Sequence, residues 1–220
     1  MAVIWNETVE DRSGRAAMIG TVLHDEFERV ALGGDPSLTP NAVIELDVLD
    51  CGQARAQTLL DRAIVALRAL EERYQIGERW HEVRVDPGAA IGRSDFWGTS
   101  DYIGISGDGS TLVVGDAKFG KIKIDPRLNE QLLAYASGAL RFIDQGVAVG
   151  IETIAIAIIQ PTAPGIGLVV WETDRQMVAD FLEHCRERLA LTDLDEPPVE
   201  PSATACQWCK GRYECPSRAI

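Results

Sequence analysis

The chain has 220 residues, with 21 Lys and Arg against 34 Asp and Glu, so its net charge is −13. At 46% hydrophobic and 25% charged it has the composition of a globular protein with a core to bury, which excludes a largely disordered or low-complexity chain. The acidic balance excludes a broad basic surface that grips nucleic acid by charge alone; such chemistry would need a local basic patch or metal ions.

Residues 1–10 carry acids and no basic segment, so no secretory signal is read there. Residues 14–32 predict a helix: Ala17, Met18, Val22, Leu23, Phe27, Val30 and Ala31 follow helical spacing and Gly33-Gly34 ends it. Asp35 to Asn41 reads as a loop, and 53–75 as a second amphipathic helix through Leu59, Leu60, Ala63, Leu67, Leu70 and Tyr74. The period then changes. Strands are expected at Trp80 to Val85, Phe96 to Ser106 and Thr111 to Lys118, with Ser106-Gly107-Asp108-Gly109 as a hairpin turn between the last two. Helical spacing returns over 127–144 with Gly146 as a stop, followed by a buried strand from Glu152 to Gln160 and another at Leu168 to Glu172. An acidic helix over 174–191 and a linker from Asp193 to Pro201 lead to a cysteine-rich end. The order ααβββαββα implies an α/β fold, a mixed central sheet flanked by helices, with one domain over 1–192 and a linker and cysteine tail over 193–220 packing on it. No run reaches the ~18 apolar residues of a membrane span, so no membrane partner and a cytoplasmic location are expected.

Charge is polarised along the chain. Three of the four lysines, Lys118, Lys121 and Lys123, fall within six residues, while 172–200 holds nine acids and three arginines. The lysines follow Asp116. Asp101 lies in one expected strand and Asp116 near the end of the next, and alternation can bring both carboxylates to one side, with Lys118 sharing the face of Asp116. Two carboxylates and a lysine on one face are costly to bury unless they bind something. A hard divalent cation fits, because Mg²⁺ takes a couple of carboxylates and keeps several waters. By itself Asp-x-Lys is also the commonplace of an exposed edge strand.

The company it keeps is what distinguishes it. Gly20-Thr-Val-Leu-His24, Gly98-Thr-Ser-Asp101, Asp116-Ala-Lys118 and Gln131-Leu-Leu-Ala-Tyr135 stand in the order of the motifs of the PD-(D/E)XK nuclease superfamily, and the chain resembles its RecB-like exonuclease branch over about residues 15–218. The run Asn129 to Leu140 is similar to nuclease-like domains of phage replication modules. The resemblance implies a restriction-endonuclease-like core in which Asp101, Asp116, the Ala117 carbonyl and His24 hold Mg²⁺ or Mn²⁺, an imidazole suiting Mn²⁺ better. It implies Lys118 as the catalytic lysine, with Gln131 and Tyr135, one turn apart, facing the site. Glu82 is a further ligand, a group behind the ligands, or a solvated strand residue. Lys121, Lys123 and Arg127, with Arg141, form a phosphate-binding patch or a solvated loop. Trp97 reads as a core tryptophan, with stacking on a base as the other reading.

Cys206-Gln-Trp-Cys209 and Cys215-Pro216 complete the pattern. Three thiols at this spacing in the last 15 residues suit an Fe–S cluster or Zn²⁺, and they are similar to the C-terminal triad of iron–sulfur RecB-like nucleases of the AddB and CRISPR-adaptation types. Those hold a [4Fe–4S] cluster with a fourth, more N-terminal cysteine. No cysteine precedes His24; Cys51 and Cys185 are the remaining two. The implied function is a metal-dependent DNA nuclease, exonucleolytic, in phage-like replication or recombination within a host cytoplasm. Its implied partners are linear or single-stranded DNA ends, a recombinase, helicase or annealing protein, and a second copy of itself. The alternative is a non-catalytic DNA-binding or Fe–S/Zn structural module that keeps the fold.

Overall fold

The computed structural model describes residues 14–143, 145–148, 150–199, 201, 202, 206, 209, 215 and 217. The segment Met1 to Glu10 and, in the cysteine motif, Gln207, Trp208 and Pro216 lie outside them. Gly14–Glu183 forms one compact unit, and the described residues from His184 onward fall in a second.

Helix α1 (Arg15–Ala31) buries Val22, Leu23, Phe27 and Val30, the stripe its spacing dictates, and gives way at Gly33, whose φ of +97° is in the left-handed region. A short helix follows, overlapping the expected loop only at Pro40 and Asn41 and otherwise covering residues where the spacing predicts no element. In α2 (Pro40–Val48) Thr39 caps the N-terminus, its side chain accepting from the Ala42 N–H at 3.2 Å, with Pro40 in the first turn. Thr-Pro is a helix-start signal, hidden here by a helix of only nine residues with two buried positions, Ala42 and Leu46. Buried Glu26 fastens α2 to α1: its carboxylate accepts from Arg29 at 2.7 Å and from the Thr39 N–H at 3.2 Å. Helix α3 (Gln53–Arg73) buries Leu60, Ala63, Ile64, Leu67 and Leu70 on one side.

Five strands follow: β1 (Ile76–Val85), β2 (Gly98–Ser106), β3 (Thr111–Ala117), β4 (Thr153–Ile159) and β5 (Leu168–Asp174). They form one sheet in sequence order, antiparallel except for the parallel pair β3–β4. A parallel neighbour needs a crossover, supplied by α4 (Glu130–Phe142) and the short α5 (Gln145–Ala148), where Gly146 lies within a helix rather than stopping one. Strand β1 begins at Ile76, four residues before its alternation becomes visible at Trp80. Helix α6 (Arg175–Ala190) follows β5.

The sheet is mixed and covered on both faces, as the element order implies. Val113, Ala155 and Ala157 pack with α1, α2 and α3, while Leu112, Val114, Ile154, Ile156 and Ile158 pack with α4. Strand β4 thus turns isoleucines to one layer and alanines to the other, which is why its run is apolar throughout. Among the described residues, no helix is long and apolar enough to cross a membrane.

Candidate metal centre

Antiparallel register carries three acids onto one rung. β1 and β2 pair His81 with Tyr102 and Val83 with Ser100, so Glu82 stands opposite Asp101. β2 and β3 pair Tyr102 with Gly115, and one more step of that register sets Asp101 against Asp116. Like charges opposite each other destabilise a sheet, so three adjacent strands that each place a carboxylate on one rung ask for a compensating cation.

Glu82 is the irregular member. Its φ is +49°, the left-handed region, in mid-strand. The alternation slips there: Trp80, Val83 and Val85 all pack on the α4 side, three residues apart and then two. A backbone held in this region by a non-glycine residue costs of order 1–3 kcal/mol, and such sites cluster where function requires a geometry.

His24, from mid-α1, closes the group. Its Nε2 lies 3.0 Å from Glu82 Oε1 and its Nδ1 3.7 Å from Asp101 Oδ2. Ligand atoms of His24, Glu82 and Asp101 all lie within 4.8 Å of one another, the one such group among the described residues. The Ala117 N–H donates to Asp101 Oδ2 at 2.8 Å. The Lys118 ammonium donates to Asp116 Oδ1 at 2.8 Å, while Asp116 Oδ2 is buried without a hydrogen-bond partner. Burial and then the neighbouring Asp116 charge push the Asp101 carboxyl up to about 6, against the pull of the Ala117 N–H, His24 and Lys118. Burial likewise raises Asp116, although Lys118 and His24 oppose it. Burial works against a charged His24, yet Asp101, Glu82 and Asp116 outweigh it and hold the imidazole above its ordinary value.

These observations fit a divalent cation. The donors are one imidazole nitrogen and carboxylate oxygens, a set that Mn²⁺ and Mg²⁺ accept. A buried oxygen with no partner normally needs an ion or water to account for it.

The remaining sequence candidates distribute around this centre. The Gln131 side-chain amide donates to the Tyr135 hydroxyl at 2.9 Å, and the Tyr135 ring lies against Gly98, where a Cβ would come within 2.5 Å of it. Two of the motifs therefore touch each other through the glycine of one and the tyrosine of the other. Lys121, Lys123 and Arg127 are exposed on the segment that leaves Lys118, and Arg141 is exposed on α4. Trp97 is 53% exposed with the Arg84 guanidinium stacked over its ring, centre to centre 4.3 Å, so it is a surface residue and not a core one. Its neighbours on the chain, Phe96 and Gly98, are only partly buried too, which a strand-like pattern in the sequence does not reveal.

Two groups near the centre escaped the sequence reading. Glu28, one turn after His24, is raised by burial and by the Glu82 charge; its i+4 spacing from His24 was the available signal. Half-buried His81, beside Glu82, stacks edge-on against Tyr102 at 5.3 Å, and its Nε2 has no partner. Cys206, Cys209 and Cys215 are partly buried and none forms a disulfide, whereas Cys51 is 2% exposed within the hydrophobic core.

The family description "Protein of unknown function (DUF2800)" matches residues 2–220 of the chain. Among solved structures, the crystal structure of SSO0001 is similar at 14% identity and a TM-score of 0.38, over 98% of this chain and 93% of that one. A likeness at that level carries no argument about function.

Proposed function

The chain belongs to the DUF2800 family, and we propose that it is a divalent-metal-dependent deoxyribonuclease of the PD-(D/E)XK superfamily, in its RecB-like branch. One observation carries this reading: His24 and Asp101, each from one of the four motifs, converge within 4.8 Å with Glu82, which belongs to none of them, and the Ala117 N–H between the bonded pair Asp116 and Lys118 donates to Asp101. His24, Glu82 and Asp101 would hold Mg²⁺ or Mn²⁺, with Asp116 Oδ2 and the Ala117 carbonyl as the further protein oxygens. The ion, when bound, supplies a water of lowered pKa and neutralises charge on the scissile phosphate.

The rest is the work of the chain. Asp116 Oδ1 fixes the Lys118 ammonium, which orients the attacking water and stabilises charge developing on the phosphate. The Ala117 N–H locks one oxygen of Asp101 and so the orientation of that ligand. Tyr135, seated on Gly98 and bonded to Gln131, sets the spacing between α4 and the start of β2. Lys121, Lys123 and Arg127 contact the DNA backbone. The order of motifs also supports exonucleolytic action on linear or single-stranded ends in phage-like replication or recombination, alongside a recombinase, helicase or annealing protein. Cys206, Cys209 and Cys215 supply three thiolates of a [4Fe–4S] or Zn²⁺ site, which metal analysis and visible absorbance of anaerobically purified protein will identify.

The test is cleavage of end-labelled linear and closed circular DNA with Mn²⁺. The reading predicts loss of the linear substrate, sparing of the circular one, and no cleavage by Asp116→Ala. Wild-type rates in Asp116→Ala overturn it. Tight Mn²⁺ and DNA binding without cleavage by the wild type supports the non-catalytic module instead.

A further inference from the structure

Strand β4 is apolar from Ile154 to Ile159, and the next residue breaks the pattern. Gln160 is 2% exposed. A buried amide is costly unless its donors and acceptor are satisfied, and every side-chain bond Gln160 makes goes to one loop. Its Nε2 donates to the Gly120 carbonyl at 2.9 Å and to the Ile122 carbonyl at 2.7 Å, and its Oε1 accepts from the Ile124 N–H at 3.2 Å. The Thr162 hydroxyl adds a second bond to the Gly120 carbonyl at 2.6 Å. Just before the loop, the Lys118 N–H donates to the Ile159 carbonyl at 2.8 Å, and the Phe119 ring is buried edge-on against Phe27.

Backbone anchors therefore fall at positions 118, 120, 122 and 124, and the two lysines fall between them. Lys121 and Lys123 are exposed, with no ion-pair partner among the described residues despite the excess of acid. A loop pinned at alternate residues holds the backbone that carries Lys121 and Lys123 in a fixed relation to Lys118.

We propose that Gln160 is a positioning residue for substrate: it holds the 118–124 loop so that Lys121 and Lys123 form a preorganised grip for the phosphate backbone of a DNA strand entering the Lys118 site. This rests on the nuclease reading and deepens it. Gln160 touches no substrate; its effect is on binding and on the number of phosphate contacts, since ordering the loop beforehand removes a cost of association.

The test uses full-length protein in EDTA and anisotropy of an end-labelled DNA strand across a KCl series. Lys121→Ala/Lys123→Ala is expected to lower the slope of log affinity against log salt by about 1.4, because each phosphate contact on a single strand releases about 0.7 of a counterion. Gln160→Met keeps the side chain's length and removes all three bonds. It is expected to lower the slope by at least half as much, to leave Mn²⁺ affinity, measured by calorimetry without EDTA, unchanged, and to add less than about twofold in the two-lysine background. A wild-type slope in Gln160→Met, or the same loss in both backgrounds, overturns the proposal. A wild-type slope in the two-lysine variant also overturns it, while Mn²⁺-dependent cleavage, scored separately, decides the nuclease reading on its own. Should Gln160→Met fail to fold, exchange of the Ile124 amide in the wild type decides. Slow exchange in free protein, unchanged by DNA, is expected; fast exchange that slows only with DNA overturns a preorganised loop.

Discussion

Glu82 combines two costs, a left-handed backbone in mid-strand and a carboxylate facing Asp101 and Asp116. Under the proposed function both serve the binding of a cation. Glu82→Gly is therefore predicted to stabilise the metal-free protein by roughly 1 kcal/mol in urea unfolding, since glycine accepts this φ without strain. The same change should weaken Mn²⁺ binding at least about tenfold by calorimetry. Lower stability with unchanged Mn²⁺ affinity would mean that Glu82 is a structural residue. His24, Asp101 and Asp116 were legible because each stands in a short motif. Glu82 was legible only as an acid in a strand, because its place opposite Asp101 depends on register and its aim on one dihedral angle, neither of which a local pattern encodes.

At the level of elements, the β2–β3 hairpin and the α4 packing carry the centre. In the hairpin the Ser106 hydroxyl donates to Asp108 Oδ1 at 2.6 Å, and the Ser110 N–H and hydroxyl donate to the same oxygen. The Ser106 and Ser110 bonds hold the Asp108 carboxyl down at about 2. A carboxylate whose folded pKa is depressed stabilises the fold above its unfolded value, and that contribution is lost as pH falls through the folded one. Ser106→Ala should thus be less stable than wild type near neutral pH, and the gap should shrink as pH falls from about 4 to about 2. A gap that does not change with pH in urea unfolding would contradict it. Gly138 of α4 lies against β1: a Cβ there would come within 2.7 Å of Val85 Cβ and 3.1 Å of the Asp86 nitrogen. Gly138→Ala is predicted to cost about 1–3 kcal/mol, as overpacking does, and an unchanged melting temperature would show that the helix shifts freely. The long helices and the hairpin were visible in spacing and turn chemistry. α2 was not, because nine residues with two buried positions give too little periodicity, and its anchor, Glu26, is thirteen residues from Thr39.

Across the whole molecule the net charge of −13 opposes DNA, and much of it lies in 172–200, whereas the lysines gather at 118–123. DNA affinity should then fall steeply with salt and rise when Mn²⁺ fills the acidic centre, two effects that anisotropy separates. The mixed sheet with helices on both faces followed from element order alone. That three carboxylates would share a rung did not, because it depends on how two hairpin registers join. The most direct measurement is Mn²⁺-dependent cleavage of linear DNA by Lys118→Ala, scored beside its Mn²⁺ affinity. The account predicts wild-type Mn²⁺ binding with cleavage reduced by about 100-fold or more; cleavage at the wild-type rate would contradict it.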